Sequence, residues 1–124
     1  MILADSSIWL AFFADEPGAD RFADALSLPA DVVVPTIVLH EVFKVVSREA
    51  GEGAAFRAGA ALRRGRVLDL DPIVAIHAAR LAIRYRLPTA DSLIYATARQ
   101  AGVVVWTQDA HFRELPEVEF FEKA

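Results

Sequence analysis

Met1-Ile-Leu-Ala-Asp5-Ser-Ser-Ile-Trp-Leu-Ala-Phe-Phe13 decides the fold. An almost wholly apolar opening run that ends on an acid reads as a buried, central strand over residues 1 to 5. Ser6 or Ser7 can cap the helix Ile8-Trp-Leu-Ala-Phe-Phe, which stops near Glu16-Pro-Gly. A strand buried on both faces needs helices over both faces. That is the arrangement of α/β proteins with a mostly parallel sheet.

The alternation recurs outward from this stretch. Pro17 suits the first turn of a second helix over Ala19 to Leu28, with Phe22 and Leu26 one turn apart on its apolar face. Asp31-Val-Val-Val-Pro is a second strand closed by proline. Thr36 then caps a helix to about Ala50, where Gly51 can end it, with Ile37, Val38, Val42 and Val45 on the core face. Residues 53 to 65 are helical despite Gly59. Val67-Leu-Asp-Leu forms a third strand, and Pro72 starts a helix reaching Arg86. After the break at Leu87-Pro-Thr, residues 90 to 101 form a helix ending at Gly102. Val103 to Trp106 is a fourth strand and Glu117 to Phe121 a fifth, at an edge. No repeat, low-complexity segment or linker interrupts the pattern, so residues 1–124 read as a single domain.

Composition narrows the function classes. A hydrophobic content of 55% argues against disorder. No apolar run approaches the roughly 18 to 20 residues that a membrane span needs. The N-terminus lacks a basic leader, so a cytoplasmic location is expected. Without cysteine there is no disulfide, thiolate zinc site or cysteine nucleophile. The net charge of −4 excludes a generically basic nucleic-acid binder. Arg57, Arg63, Arg64 and Arg66 nevertheless cluster, as do Arg80, Arg84 and Arg86; each group is either a solvated face or a phosphate-contacting patch.

Four acids stand out against this background. Asp5 ends the first strand, Glu41 lies inside an apolar helical stretch, Asp91 opens a helix, and Asp109 lies three residues beyond the fourth strand. Burying a carboxylate costs several kcal/mol unless it is paired or binds a metal. In open parallel sheets, ligands bind beyond the carboxyl ends of the strands, and all four acids can reach that rim. Mg²⁺ and Mn²⁺ favour such oxygen ligands and keep positions open for a substrate phosphate, as metal-assisted phosphodiester hydrolysis requires. Other polar residues fit ordinary roles better. His40 points away from Glu41 by about 100° on the helix. His111 suits a capping or loop role, His77 is structural, and Trp106 is core. Asp69 and Asp71, bracketing the third strand, read as surface acids. Any exposed part of the apolar face of Trp9, Phe12 and Phe13 would be an assembly surface.

Asp5-Ser6-Ser7, Pro35-Thr-Ile-Val-Leu-His-Glu41, Thr89-Ala-Asp91-Ser-Leu-Ile-Tyr-Ala-Thr-Ala and Thr107-Gln-Asp109-Ala-His-Phe together resemble the PIN-domain family. The closest likeness is to the VapC-type toxins of toxin–antitoxin pairs, and it covers essentially the whole chain. The resemblance implies a PIN-like three-layer α/β/α sandwich with a central sheet of four to five strands. It implies an endoribonuclease using Mg²⁺ or Mn²⁺, with Asp5, Glu41 and Asp91 as the principal metal-site acids. Asp109 would be the fourth, acting directly or through water. Ser7 and Thr107 match hydroxyls that orient the acids, and Ser6 competes with Ser7 for that part. A homodimer and a cognate antitoxin are implied as well. The acidic overall charge departs from the pattern, so RNA contact would rest on the arginines, with Arg63, Arg64 and Arg66 as candidates.

Two other readings compete. One is a catalytically inactive PIN-like RNA-binding or scaffold module. The other is a phosphotransfer or phosphatase domain with Asp5 as nucleophile; the absence of Asp-x-Asp at the first strand and of a placed lysine counts against it.

Overall fold

Val32, Val33 and Val34 have no exposed surface, and neither do Leu3, Ala4 and Val105. Residues buried on both faces of a strand belong to the middle of a sheet covered on both sides. The computed structural model describes residues 1–124. Its strands are β1 (Ile2–Ala4), β2 (Val32–Pro35), β3 (Arg66–Leu68), β4 (Val104–Thr107) and β5 (Val118–Phe120). All pair in parallel, in the order β3-β2-β1-β4-β5. The helices are α1 (Ser6–Phe13), α2 (Asp20–Leu26), α3 (Thr36–Ala50), α4 (Glu52–Arg63), α5 (Pro72–Tyr85) and α6 (Thr89–Ala101).

The strand order makes the layers. From β1 the chain steps to β2 and then β3 in one direction, through α1/α2 and α3/α4. It then crosses back through α5/α6 to β4 on the other side of β1. Right-handed crossovers in opposite directions lie on opposite faces, which gives the α/β/α sandwich. The order reverses between β1 and β4, where Leu3 is in register with Val105 and Ala4 with Trp106. A reversal point opens a crevice beyond the carboxyl ends of its two strands.

Several boundaries differ from the sequence reading, each for a local reason. Asp5, rather than Ser6 or Ser7, caps α1, its carboxylate accepting from the Ile8 N–H at 3.3 Å. The serine hydroxyls are thereby free for other partners. Pro17 lies in the turn before α2, which starts at Asp20. Pro35 stands at the cap position of α3 and Pro88 at that of α6, so Thr36 and Thr89 are first helical residues and neither makes a side-chain cap. Asp71 caps α5 by accepting from the Val74 N–H at 2.8 Å. Gly51 and Gly102 end α3 and α6 with φ of +91° and +70°, conformations that favour glycine. No helix is long and apolar enough to cross a membrane.

Candidate metal centre

β1 and β4 carry the floor of the centre. Asp5 follows β1 directly, and its N–H donates to the Trp106 carbonyl, extending the ladder by one residue. Its side chain is 3% exposed. Both carboxylate oxygens are held: the Ser7 hydroxyl donates to Oδ1 and the Thr107 hydroxyl to Oδ2, each at 2.5 Å, besides the Ile8 N–H. The hydroxyls are relays. Ser7 Oγ accepts from the Gln108 N–H at 2.8 Å, and Thr107 Oγ1 accepts from the Asp109 N–H at 2.9 Å. One network therefore ties the end of β1 to the loop after β4.

That loop turns at once. Asp109 caps a short 3₁₀ turn over Ala110–Phe112, its Oδ1 accepting from the His111 N–H at 2.9 Å. Phe112 is fully buried against Tyr95, whose hydroxyl donates to the Pro116 carbonyl at 2.7 Å. With the turn anchored from below, the His111 side chain lies over the acids. Its Nδ1 is 3.0 Å from Asp91 Oδ2 and 3.0 Å from Asp109 Oδ1. Asp91 itself sits in the first turn of α6. Glu41, the sixth residue of α3, accepts from the Ser6 hydroxyl at 3.0 Å. Ser6 and Ser7 thus each hold a different acid.

The electrostatics link all four acids. Burial pushes the Asp5 carboxyl up from 3.8 to about 6 against the pull of its three donors, and the charge of Asp109 adds to the rise. The Asp91 carboxyl is also pushed up to about 6. Burial is the largest cause, Asp109 and Glu41 add to it, and His111 opposes it. No lysine or arginine forms an ion pair with any of the four acids; the only basic partner is His111.

The residues fit a hard divalent cation. Ligand atoms of Asp91, Asp109 and His111 lie within 4.8 Å of one another. Around them is a surplus of carboxylate oxygen with no fixed cationic side chain, which is the donor chemistry that suits Mg²⁺ or Mn²⁺. Asp5 stands deeper, and Glu41 reaches the group from α3.

The sequence-derived arginines separate. Arg63, exposed on the last turn of α4, lines a groove between α3 and α4. Arg64 is exposed beyond the helix, and Arg66 reaches from the sheet edge to the Met1 sulfur at 3.7 Å. Asp69 and Asp71 lie away from the acids, beside Arg66 and Gln100. Trp106 packs against Phe22 and Phe121. Sequence reasoning gave His111 only a capping or loop role. Its spacing of two from Asp109, followed by an apolar anchor at Phe112, is the signal that a tight turn folds it back.

A family model described as PIN domain matches residues 2–118. No curated protein matches the chain. Among solved structures, a toxin–antitoxin complex from Klebsiella pneumoniae superposes with a TM-score of 0.85 at 22% identity, covering 98% of this chain and 99% of that one. VapC20 of Mycobacterium tuberculosis, described as a sarcin-ricin loop cleaving toxin, gives 0.74 at 26% identity over 90% and 92% of the two chains. DNA-bound VapBC from Salmonella typhimurium gives 0.75 at 19% identity over the full length of both.

Proposed function

The chain belongs to the PIN domain family, and from that premise we propose that it is a metal-dependent endoribonuclease, the toxin of a toxin–antitoxin pair. One observation carries the reading. Asp91 and Asp109 meet at a single nitrogen of His111, with Asp5 bound into the same network and Glu41 adding its charge, all at the sheet's reversal point. Residues 1–124 act as one domain in this reading.

Asp91 and Asp109, with Asp5 and Glu41, would hold Mg²⁺ or Mn²⁺. Bound there, the cation supplies Lewis-acid polarisation of a scissile phosphate and a lower pKa for the attacking water. The protein's own part is positional. Thr107 and Ser7 fix both oxygens of Asp5, and through the Asp109 N–H the same hydroxyl of Thr107 sets the start of the turn that carries Asp109. Ser6 orients Glu41. A cluster of carboxylates repels a phosphodiester, so the chain alone presents the wrong sign of charge until a cation neutralises it.

The solved toxin–antitoxin complexes with this fold support a protein antitoxin as partner. A second copy of the chain is the other partner in this reading. The exposed Phe12 face anticipated for assembly is half-buried. The three most exposed large apolar residues lie on α5, where Ile73, Ile76 and Ile83 are 69%, 67% and 82% exposed. Sedimentation velocity checks the pairing: a dimer that Ile76→Glu converts to monomer is expected, and a wild-type monomer at micromolar concentration refutes it.

The ribonuclease reading is tested by incubating wild type and Asp5→Asn with RNA and Mn²⁺, with and without EDTA. Wild type should cleave only with free metal, and Asp5→Asn should be slower by more than roughly a hundredfold. Equal cleavage by the two proteins, or cleavage in EDTA, sinks the assignment.

A further inference from the structure

A groove of about 930 Å³ lies between α3 and α4, lined by His40 and Lys44 on either side of Glu41 in the sequence. Leu39, Phe43, Phe56 and Ala60 make its floor, and His40, Lys44, Arg48 and Arg63 stand around it. Phe56 is 63% exposed and rests edge-on against Phe43 with ring centroids 5.0 Å apart. The ring continues the apolar floor of the groove, and a contiguous apolar surface rimmed by polar residues marks an interaction site. No carboxylate lines the groove. The one nearby ion pair, Arg48 with Glu49 at 4.0 Å, is exposed and long enough to leave the guanidinium available. In a chain of net charge −4 with two lysines, this concentration of cations is a local exception.

Gly59 gives an independent sign that the groove is kept open. It lies inside α4, where glycine costs about 1 kcal/mol relative to alanine. A Cβ added there would meet nothing within 4 Å, so neither packing nor backbone conformation asks for glycine. Gly59 lines the groove, and a side chain there would enter open space.

We infer that this groove receives a single-stranded segment of RNA, with an unstacked base on Phe56 and backbone phosphates at Lys44, Arg48 and Arg63. The inference rests on the ribonuclease reading and deepens it. A strand approaching four carboxylates is repelled, and compensating cations close to them are needed to bring it in. Lys44 follows Glu41 by three residues, so it stands on the next turn of α3, about 5 Å along the axis. Base stacking on aromatics beside a cationic track is the mode by which single strands are bound without base-pair readout. A duplex keeps its bases stacked and offers none to such a ring.

Gly59→Leu is the decisive variant, because it fills the groove while improving helix propensity. Anisotropy of a short fluorescein-labelled RNA of mixed sequence, in EDTA so that nothing is cleaved, reads affinity; a thermal melt reads folding. Gly59→Leu should melt at or above wild type and bind the single strand about tenfold more weakly, and Phe56→Ala should weaken it similarly. Reversing Lys44 and Arg63 to Glu together should flatten the slope of log affinity against log salt by about 1.4. Unchanged affinity in Gly59→Leu and Phe56→Ala overturns the proposal. So does a groove whose filling releases a helical peptide patterned with Leu and Glu while RNA binding stays intact, since the groove is then a protein dock. Wild type that binds through the groove yet cleaves nothing with Mn²⁺ supports the groove and overturns the ribonuclease reading. Intact cleavage with unchanged binding in the groove variants overturns the groove alone.

Discussion

Asp5 and Asp91 have carboxyls raised to the same value, about 6, by different surroundings. Asp5 is sealed at the end of β1, and three donors hold its charge against the cost of burial. Asp91 lies at the mouth of the crevice beside Asp109 and His111, where part of its rise comes from repulsion by Asp109 and Glu41. The inner acid is a problem of desolvation already met by fixed hydroxyls. At the outer acids burial is again the largest cause, and repulsion between like charges, which His111 opposes, adds to it. The centre thus divides into a buried, hydrogen-bonded half and an open half where, in the metal-dependent reading, a cation would bind.

Stability against pH breaks this comparison most strongly. A carboxyl raised on folding makes the native state bind more protons than the unfolded chain. Its contribution is full below about pH 3.8 and is lost as pH climbs through about 6. For Asp5 the difference amounts to about 3 kcal/mol. Metal-free wild type should therefore gain stability, relative to Asp5→Asn, as pH falls from 7.5 to 5. Adding Mn²⁺ at pH 7.5 should raise the melting temperature, and the gain should fade toward pH 5 as Asp5 and Asp91 take up protons. Melting curves over this range decide it. Parallel profiles for wild type and Asp5→Asn would mean that burial does not govern the inner acid.

Much of this division was legible in the sequence, and the illegible part has a physical pattern. Asp5 could be placed because a continuous apolar run ending in an acid fixes the end of a strand buried on both faces. The five strands and six helices followed from similar runs. The partners of Ser6 and Ser7 could not be separated, because adjacent residues at a helix start point about 100° apart and their targets lie on other elements. Ser6 reaches Glu41 across 35 residues, and Thr107 reaches Asp5 across 102. The loop role expected of His111 fits its 3₁₀ turn, but its contacts with Asp91 and Asp109 depend on how that turn folds back over other elements. The arginines are close along the chain, and the structure puts Arg63 at the end of α4 and Arg66 at the start of β3.

A smaller effect sharpens the inner half. Thr107 donates to Asp5 and accepts from the Asp109 N–H, so Thr107→Val removes two hydrogen bonds while nearly keeping the shape. Leaving a buried carboxylate oxygen short of a donor should cost about 2 kcal/mol of stability. It should also weaken Mn²⁺ binding by about 10- to 100-fold, because residues that orient ligands contribute on that scale. Thr107→Ser, which restores the hydroxyl, should recover most of both losses. Calorimetric titration beside denaturant melts separates the two readouts. Lost stability with unchanged Mn²⁺ affinity would make Thr107 a core residue that merely happens to touch the centre.

The smallest expected effect belongs to the outer half. His111 is 58% exposed at its side chain, and its Nδ1 lies 3.0 Å from Asp91 Oδ2 and 3.0 Å from Asp109 Oδ1. In the metal-dependent reading the imidazole would compete with the cation for the same two carboxylate oxygens. An exposed ion pair contributes about 0 to 1 kcal/mol, so His111→Ala should leave stability nearly unchanged. Because the competitor is gone, Mn²⁺ binding should tighten by up to about fivefold, the same energy read as affinity. Titration of the variant with Mn²⁺ alone gives the sign. Tighter binding keeps His111 as a stand-in for the ion, and binding weakened tenfold or more would make it a ligand, turning the open half of the centre into a built one.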